Sequence, residues 1–267
     1  MVIERLLPAS VSVCEAYADA PDHRLFPEER AVVRRAVPRR VAEFATGRHC
    51  ARRALARLGI APVPIPRGAA GAPVWPEGVL GSITHCTGYR AAVVVPMAYA
   101  DGIGIDAEPD AELPDGMLRA IAGAAELGRI AALTGRRPRV GWGRVLFSAK
   151  ESVYKAVAAP RPGLRDTAVR CEMDFKDVDV DFGAGDGGFT ARVPHACGLP
   201  GPPGPREVQG RWTAAHGLVL TSVFVPPAEG RATGSASQQH HSEFILPFDS
   251  VGAAFAAAPG EVNSRAR

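Results

Sequence analysis

The sequence predicts an α+β fold, in which helices pack against short antiparallel sheets. Long segments carry apolar residues at helical spacing, and short strand-like runs separated by Gly and Pro turns lie between and after them. A weak internal echo points the same way, since each half contains a helical segment followed by a Val-rich hairpin. The 267 residues, 46% of them apolar, suffice for one large domain or two of about 100 residues each.

Three segments have the 3.6-residue periodicity of helices. Residues 28–58 form the first, which Pro38 should divide into two helices and Gly59 should end. Residues 117–134 and 142–157 form the others. The stretch at 61–76 is too rich in Pro and Gly for regular structure and predicts a shaped loop.

Strands are predicted in two groups, separated by the second and third helical segments. The first group comprises residues 80–83, 91–96 and 103–108, with Gly88 permitting a hairpin turn between the first two. The second group comprises residues 168–181, 188–193 and 206–225. From Pro226 onward Ala, Gly, Ser, Gln and His dominate, which predicts a disordered tail.

Composition excludes several classes of protein. No apolar run approaches the roughly 18 residues that span a bilayer, and residues 1–10 lack the pattern of a signal peptide, so we expect a cytoplasmic protein. The five cysteines are odd in number and have no C-x-x-C spacing, which argues against a disulfide framework or a structural zinc site.

Positive charge is concentrated in one segment. Ten arginines and only three glutamates lie between residues 24 and 57, although the whole chain carries a net charge of +3. This segment should attract anions, although arginines on solvated helix faces would give the same count. Lysine is rare, with three residues against 28 arginines.

Two carboxylates lie side by side in G-I-G-I-D-A-E-P, residues 102–109. On a strand, Asp106 and Glu108 point to the same face about 7 Å apart. Their repulsion costs roughly 2 kcal/mol at an effective dielectric constant of ~20. The strand therefore requires a cationic partner. The segment is no dinucleotide fingerprint, because the third glycine is missing and Pro109 stands where a helix should begin.

A third carboxylate lies in L-F-S-A-K-E-S-V-Y-K-A, residues 146–156. On a helix Glu151 and Lys155 share a face, with Lys150 beside them at its edge. An ordinary exposed ion pair is the plain alternative, but two of the three lysines flank this glutamate in an otherwise apolar helix. Asp106, Glu108 and Glu151 together would suit Mg²⁺, which often shares its coordination with phosphates. Candidate anion ligands are Arg40, Arg48, Arg67, Thr84 and His85, although His85 taken alone fits a structural histidine better.

The order and spacing of these segments resemble the 4′-phosphopantetheinyl transferases of the surfactin and enterobactin type, especially the actinobacterial members. The resemblance rests on G-I-G-I-D-A-E-P, on L-F-S-A-K-E-S-V-Y-K-A about 40 residues later, on a preceding P-x-G-x-x-G-x-P-like loop and on S-I-T-H-C. It covers roughly residues 30–225. It implies a pseudo-dimer of two similar halves, residues 1–110 and 111–226, with the active site in the cleft between them and residues 227–267 outside it.

The resemblance also implies a reaction. A serine hydroxyl of an apo acyl, peptidyl or aryl carrier protein attacks the β-phosphorus of coenzyme A and releases 3′,5′-ADP. Glu151 or a metal-held water would take the serine proton, and Lys155 would stabilise the leaving phosphate. The implied Mg²⁺ ligands are Asp106, Glu108 and Glu151, and the implied coenzyme contacts are Arg40, Arg48, Arg67, Thr84, His85, Asp106, Lys150, Glu151 and Lys155. The resemblance further implies a monomer, with no nucleic-acid or membrane partner.

Two departures and two alternatives accompany this interpretation. Ala69 and Ala70 stand where relatives often carry polar groups, so only Arg67 is carried over from that loop. The tail beyond Pro226 is outside the resemblance and receives no role. A Mg²⁺-dependent nuclease would also use carboxylates and a lysine beside a basic helix, but the spacing of Glu151 and Lys155 departs from the nuclease signature. A nucleic-acid-binding module built on the arginine-rich segment leaves the acidic strand unexplained.

Overall fold

The structure, a computed structural model, describes residues 2–19, 24–68, 71–158, 173–194, 199–200 and 204–228. Its helices are α1 (Pro27–Val32), α2 (Pro38–Ala56), α3 (Met117–Ile121), α4 (Ala124–Arg136) and α5 (Trp142–Val157). Its strands are β1 (Ser12–Ala16), β2 (Val79–Cys86), β3 (Tyr89–Pro96), β4 (Gly102–Pro109), β5 (Asp179–Asp181), β6 (Gly188–Val193), β7 (Arg206–Ala215) and β8 (Leu218–Val225). Short 3-10 turns span Ile3–Leu6 and Phe175–Asp177.

The strands form two antiparallel sheets, and each packs against one long helix. The first sheet has the order β1-β3-β2 and is covered by α2, whose Cys50, Ala54 and Leu55 lie in a shared core with Trp75. The second has the order β4-β8-β7-β6-β5 and is covered by α5, whose Trp142 packs edge-on against Trp212 of β7. The predicted α+β class, with small antiparallel sheets packed with helices, is confirmed.

Most predicted elements are present, with differences at their ends. Pro38 begins α2, as its fixed φ and missing N–H allow at a first helical position. The helix predicted at 117–134 is divided into α3 and α4, with Ala122 in an extended conformation between them. Strand β1 was not predicted. Of the strand predicted at 168–181, residues 179–181 form β5, and residues 168–172 and the tail from 229 lie outside the described residues.

The division of the chain at residue 110 stays a prediction. Strand β4 immediately precedes this boundary and pairs along its whole length with β8, from Gly102 opposite Val225 to Pro109 opposite Leu218. Residues that the prediction assigns to the first half therefore share a ladder with residues that it assigns to the second.

The two faces of β4 have different neighbours, which explains its alternating sequence. Ile103 and Ile105 point into a core that they share with the first sheet. Gly102 and Gly104 face α5, whose backbone comes so close that a Cβ on Gly104 would lie 2.0 Å from the carbonyl oxygen of Ser152. The two glycines thus bring the helix against the strand, and the next residues on the same face are Asp106 and Glu108.

We expect Gly104→Ala to destabilise the protein by about 3 kcal/mol or more, because the added methyl overlaps backbone that cannot rotate away. Gly128→Ala is the matched control, since it lies in α4 with nothing within 4 Å of the position that the new methyl would occupy, and it should stabilise by roughly 0.5–1 kcal/mol. Chemical unfolding of both variants measures the difference. Equal unfolding midpoints would show that α5 is not held against β4 as described.

Hydroxyl groups connect the first sheet to β4, the terminal strand of the second. The backbone N–H groups of Ile105 and Ala107 donate to the Oγ of Ser82 at 3.1 Å and to the Oγ1 of Thr84 at 3.0 Å. These side chains of β2 take the place of a neighbouring strand on the open edge of β4. Thr84 is thereby fixed beside Asp106.

No helix in the described part of the chain is long and apolar enough to cross a membrane.

Three cysteines belong to the described residues, and all three are free thiols. The hydroxyl of Ser12 in β1 donates to the carbonyl of Ala54 in α2. Cys14 is the next residue on the same face of β1, and it lies against Cys50, one helical turn before Ala54.

Cys14 should be the most readily alkylated thiol of the described residues near neutral pH. A hydrogen bond from Cys50, opposed by burial and aided by Arg57 and Arg53, lowers the pKa of Cys14 to about 7, so the thiolate forms as the pH rises through 7. Burial raises the pKa of Cys86 to about 11, which makes this half-buried thiol the internal control. Iodoacetamide labelling followed by peptide mass mapping should show Cys14 modified well before Cys86. The substitution Cys50→Ala should slow the alkylation of Cys14. Equal rates would contradict the assignment.

Candidate functional site between β2, β4 and α5

Asp106 is the most deeply placed carboxylate of the predicted site. Its side chain lies on the face of β4 that meets α5 and is 4% exposed. Its Oδ1 accepts from Lys155 Nζ at 2.6 Å and from the Thr84 hydroxyl at 3.3 Å. Its Oδ2 is buried and has no hydrogen-bond partner. A buried carboxylate oxygen without a partner is costly, and a cation would satisfy it.

Glu108 lies on the same face, one pleat further along the strand. Its Oε2 accepts from Nη1 of Arg144 at 2.9 Å, and Arg144 also donates to the carbonyls of Ala111 and Glu112 at 3.0 and 2.6 Å. Burial and the nearby Asp106 raise the pKa of Glu108, although Arg144 opposes the shift. The predicted repulsion between the two carboxylates is thus compensated by two cations of α5, Lys155 and Arg144.

Glu151 reaches the same place from α5. Its Oε2 lies 3.9 Å from Lys155 Nζ, whose other carboxylate neighbour is Asp106. Burial raises the pKa of Glu151; Lys155 lowers it, and the negative charge of Asp106 raises it. One lysine ammonium therefore lies between two carboxylates that come from separate segments of the chain.

An arginine and a histidine meet on the neighbouring face of β2. His85 follows Thr84 in the strand and points to the opposite side, where its Nε2 lies 2.8 Å from Nη1 of Arg40 in α2. An arginine can only donate, so this ring nitrogen is the acceptor and carries no proton. Burial, followed by the charge of Arg40, lowers the pKa of His85.

Arg48, the second predicted arginine, is close enough to both Arg40 and Arg67 for their charges to act on it. Arg48 is two helical turns further along α2, is 5% exposed, donates from Nε to the Ile65 carbonyl at 2.7 Å and lies 4.2 Å above the Phe44 ring. Burial chiefly lowers the pKa of Arg48 to about 10, and the charges of Arg52, Arg40 and Arg67 add to the shift. A bound anion would relieve the repulsion among arginines crowded in this way.

Residues 28–95 match the 4′-phosphopantetheinyl transferase N-terminal domain, and residues 102–196 match the 4′-phosphopantetheinyl transferase superfamily. The chain is 47% identical to the 4′-phosphopantetheinyl transferase Svp of Streptomyces mobaraensis over 242 residues, which cover 88% of this chain and 94% of that protein. The chain belongs to the 4′-phosphopantetheinyl transferase superfamily.

Two further relatives agree. PptT, a 4′-phosphopantetheinyl transferase of Mycobacterium tuberculosis, is 39% identical over 84% of this chain and 98% of its own length. Enterobactin synthase component D of Salmonella typhi is 35% identical over 46% of this chain and 51% of its own length. These matches confirm the family resemblance and the enzyme class, with actinobacterial relatives the more similar, and they give no support to a nuclease.

The two matched regions of this transferase contribute different parts of the site. The N-terminal region carries the three predicted arginines together with Thr84 and His85, and the second region carries the acidic strand and α5 with its own cations. No group of three His, Cys, Asp or Glu side chains among the described residues is arranged so that it could hold an ion, and the joint coordination of a metal by Asp106, Glu108 and Glu151 stays a prediction. Lys155 and Arg144 hold Asp106 and Glu108 instead. The unpartnered Oδ2 of Asp106 nevertheless fits a divalent cation.

Lys150 requires a correction. Its side chain is fully buried and points away from Glu151 into the core, where Nζ donates to the carboxylate of Glu126 and to three backbone carbonyls. An ammonium has three protons and these acceptors use all of them. The predicted contact of Lys150 with coenzyme A therefore conflicts with its position.

The site also contains a residue that the sequence interpretation missed. Arg144 pairs with Glu108 and lines a cavity of about 730 Å³ with Asp110, Glu112 and Trp142. A signal was present, since Arg144, Glu151 and Lys155 are spaced seven and four residues apart and share one helix face. The charge required beside Glu108 was predicted, but not the residue that supplies it.

Proposed function

We propose that this transferase moves the 4′-phosphopantetheine group of coenzyme A to a serine hydroxyl of apo acyl, peptidyl or aryl carrier proteins in a Mg²⁺-dependent reaction. The coproduct is 3′,5′-ADP. The observation that carries the proposal is the convergence of Asp106 and Glu151 on the ammonium of Lys155, with an unpartnered buried oxygen on Asp106. Phosphoryl transfer needs this combination of negative and positive groups, because catalysis consists mostly of alignment and charge neutralisation.

The cationic side chains bind the phosphates of coenzyme A. The charges of Arg40 and Arg67 both act on Arg48, and each guanidinium can donate two parallel hydrogen bonds to a phosphate. The unprotonated Nε2 of His85 accepts a hydrogen bond from Arg40. If Arg40 turned to a phosphate instead, Nε2 of His85 would be free to take a proton. Gly71 leaves room for the guanidinium of Arg67, because a Cβ atom on residue 71 would lie only 2.6 Å from Nη2 of Arg67.

The acidic and basic groups of α5 act on the reacting atoms. Glu151 accepts the proton of the serine hydroxyl, as a carboxylate within hydrogen-bond reach of that hydroxyl can. Lys155 donates to the phosphate that leaves. Asp106, Glu108 and Glu151 would hold Mg²⁺, which neutralises the charge of the diphosphate when it is bound. Thr84 donates to Asp106 and keeps the carboxylate oriented.

Intact-mass analysis tests the proposal directly. The purified protein is incubated with Mg²⁺, coenzyme A and several apo carrier proteins, and we expect a carrier to gain the mass of one phosphopantetheine with one equivalent of 3′,5′-ADP. A carrier whose acceptor serine is replaced by alanine is the negative control, and a chelator should stop the reaction. No mass gain with any carrier, together with cleavage of added DNA, would instead support the nuclease alternative.

A further inference from the structure

Lys150 and Glu126 form a buried ion pair beneath the proposed active site. Lys150 is 0% and Glu126 is 2% exposed, and Nζ lies 2.8 Å from Oε2. The ammonium also donates to the carbonyls of Ile121 at 2.8 Å, of Phe175 at 2.7 Å and of Val178 at 2.7 Å. A single side chain of α5 thus holds the end of α3 and the segment before β5.

Glu126 satisfies backbone groups of the same two segments from the other side. Its Oε2 accepts from the N–H of Gly123 at 3.0 Å, and its Oε1 accepts from the N–H of Val180 at 2.9 Å. Together Lys150 and Glu126 hydrogen-bond to five backbone groups, in two segments that are more than fifty residues apart in sequence. Lys150 directly precedes Glu151, so these segments are tied to α5 beside the proposed base. These contacts leave α5 little freedom to rotate about its axis.

Stability does not explain this arrangement well. Burying two charges costs several kcal/mol in desolvation, and apolar residues of similar volume often replace such a pair at no loss. A polar pair that is fully hydrogen-bonded does fix one arrangement of the elements around it. What it fixes here is the rotation of the helix that carries Glu151 and Lys155, and the position of Phe175, whose ring packs edge-on against Phe147 one turn before Glu151.

We propose that Lys150 and Glu126 are positioning residues for the transfer reaction and make no contact with coenzyme A. This inference rests on the proposed function, since it assigns the pair to aligning Glu151 and Lys155 in that reaction. A displacement of about 1 Å in a reacting group can cost about 100-fold in rate. Loss of the pair should therefore act on turnover, while the arginines on the other side of the site keep the affinity for coenzyme A.

The decisive variant is the double replacement Lys150→Met with Glu126→Met, which removes both charges together and avoids leaving one unpaired. Steady-state rates are measured at a saturating concentration of an apo carrier protein with coenzyme A varied. We expect kcat to fall about 10- to 100-fold and KM for coenzyme A to stay within about twofold. Lys176→Met is the matched control, because this lysine lies exposed on the neighbouring 3-10 turn and should leave both constants unchanged.

The possible outcomes separate the alternatives. A raised KM with an unchanged kcat would overturn the inference in favour of a direct coenzyme contact by Lys150. Unchanged constants in a folded double variant would overturn it in favour of a purely structural pair. If the double variant does not fold, Glu126→Gln is measured instead; it keeps the volume of the side chain and leaves Lys150 with its three carbonyl acceptors, and the same fall in kcat at unchanged KM is expected. Absence of transfer by the unaltered protein and by Lys176→Met would refute the proposed function itself.

Discussion

Asp106→Asn is expected to reduce phosphopantetheine transfer by at least about 1000-fold while leaving the protein folded. The change keeps the shape of the side chain but removes the negative charge that pairs with Lys155. It also replaces one carboxylate oxygen by an amide NH₂ group, at a side chain whose Oδ2 has no hydrogen-bond partner. Amides are poor substitutes for carboxylates around a small divalent cation. Single-turnover transfer to a carrier protein, followed by intact mass, measures the loss.

The control for this variant is another buried aspartate near the same strand. Asp101 is 3% exposed, immediately precedes β4 and accepts from the backbone N–H of Ala228 at 2.7 Å. Asp101→Asn should lower stability without lowering transfer per folded molecule. We expect Asp106→Asn to stay folded, because Lys155 keeps Glu151 as a carboxylate neighbour and the repulsion between Asp106 and Glu108 is removed. Transfer near that of the unaltered protein would remove Asp106 from the site.

The acidic strand shows how far local sequence can predict this structure. The two-residue period of G-I-G-I-D-A-E-P places Asp106 and Glu108 on one face, and the structure confirms that both meet cations of α5. The same period places Gly102 and Gly104 on that face, where their missing side chains let the helix approach. Strand and helix could be predicted separately because each obeys a local period.

What could not be predicted depends on contacts between distant segments. Strand β1 has five residues and no sustained alternation, and its place is fixed by pairing with β3 almost 80 residues later. Lys150 was expected at the edge of the active face because it neighbours Glu151. It stands four residues after Leu146 and three before Val153, so it lies on the apolar face of α5 and needs a buried counter-ion. The sequence alone does not reveal that this counter-ion is Glu126, because the two residues belong to different helices.

Glu151→Gln is the second large effect, again a loss of at least about 1000-fold in transfer with the fold retained. Glutamine preserves the size of the side chain and one acceptor oxygen, but it cannot accept a proton and it removes a charge from the proposed cation site. Glu28→Gln, an exposed glutamate at the first turn of α1, is a suitable control and should leave transfer unchanged. Near-normal turnover of Glu151→Gln would show that this carboxylate is neither base nor required ligand.

Titration of the Glu151 carboxyl separates its two proposed roles from a merely structural one. In the metal-free protein burial holds the pKa of Glu151 above that of an ordinary glutamate, while Lys155 works against the shift. The carboxyl should therefore take up its proton at a higher pH than usual, and Lys155→Met should move this point higher still. Mg²⁺ competes with the proton for the same oxygens, so adding Mg²⁺ should lower the pKa if Glu151 is a ligand. A ¹³C NMR titration that does not change with Mg²⁺ would exclude Glu151 from the cation site, whatever its effect on turnover.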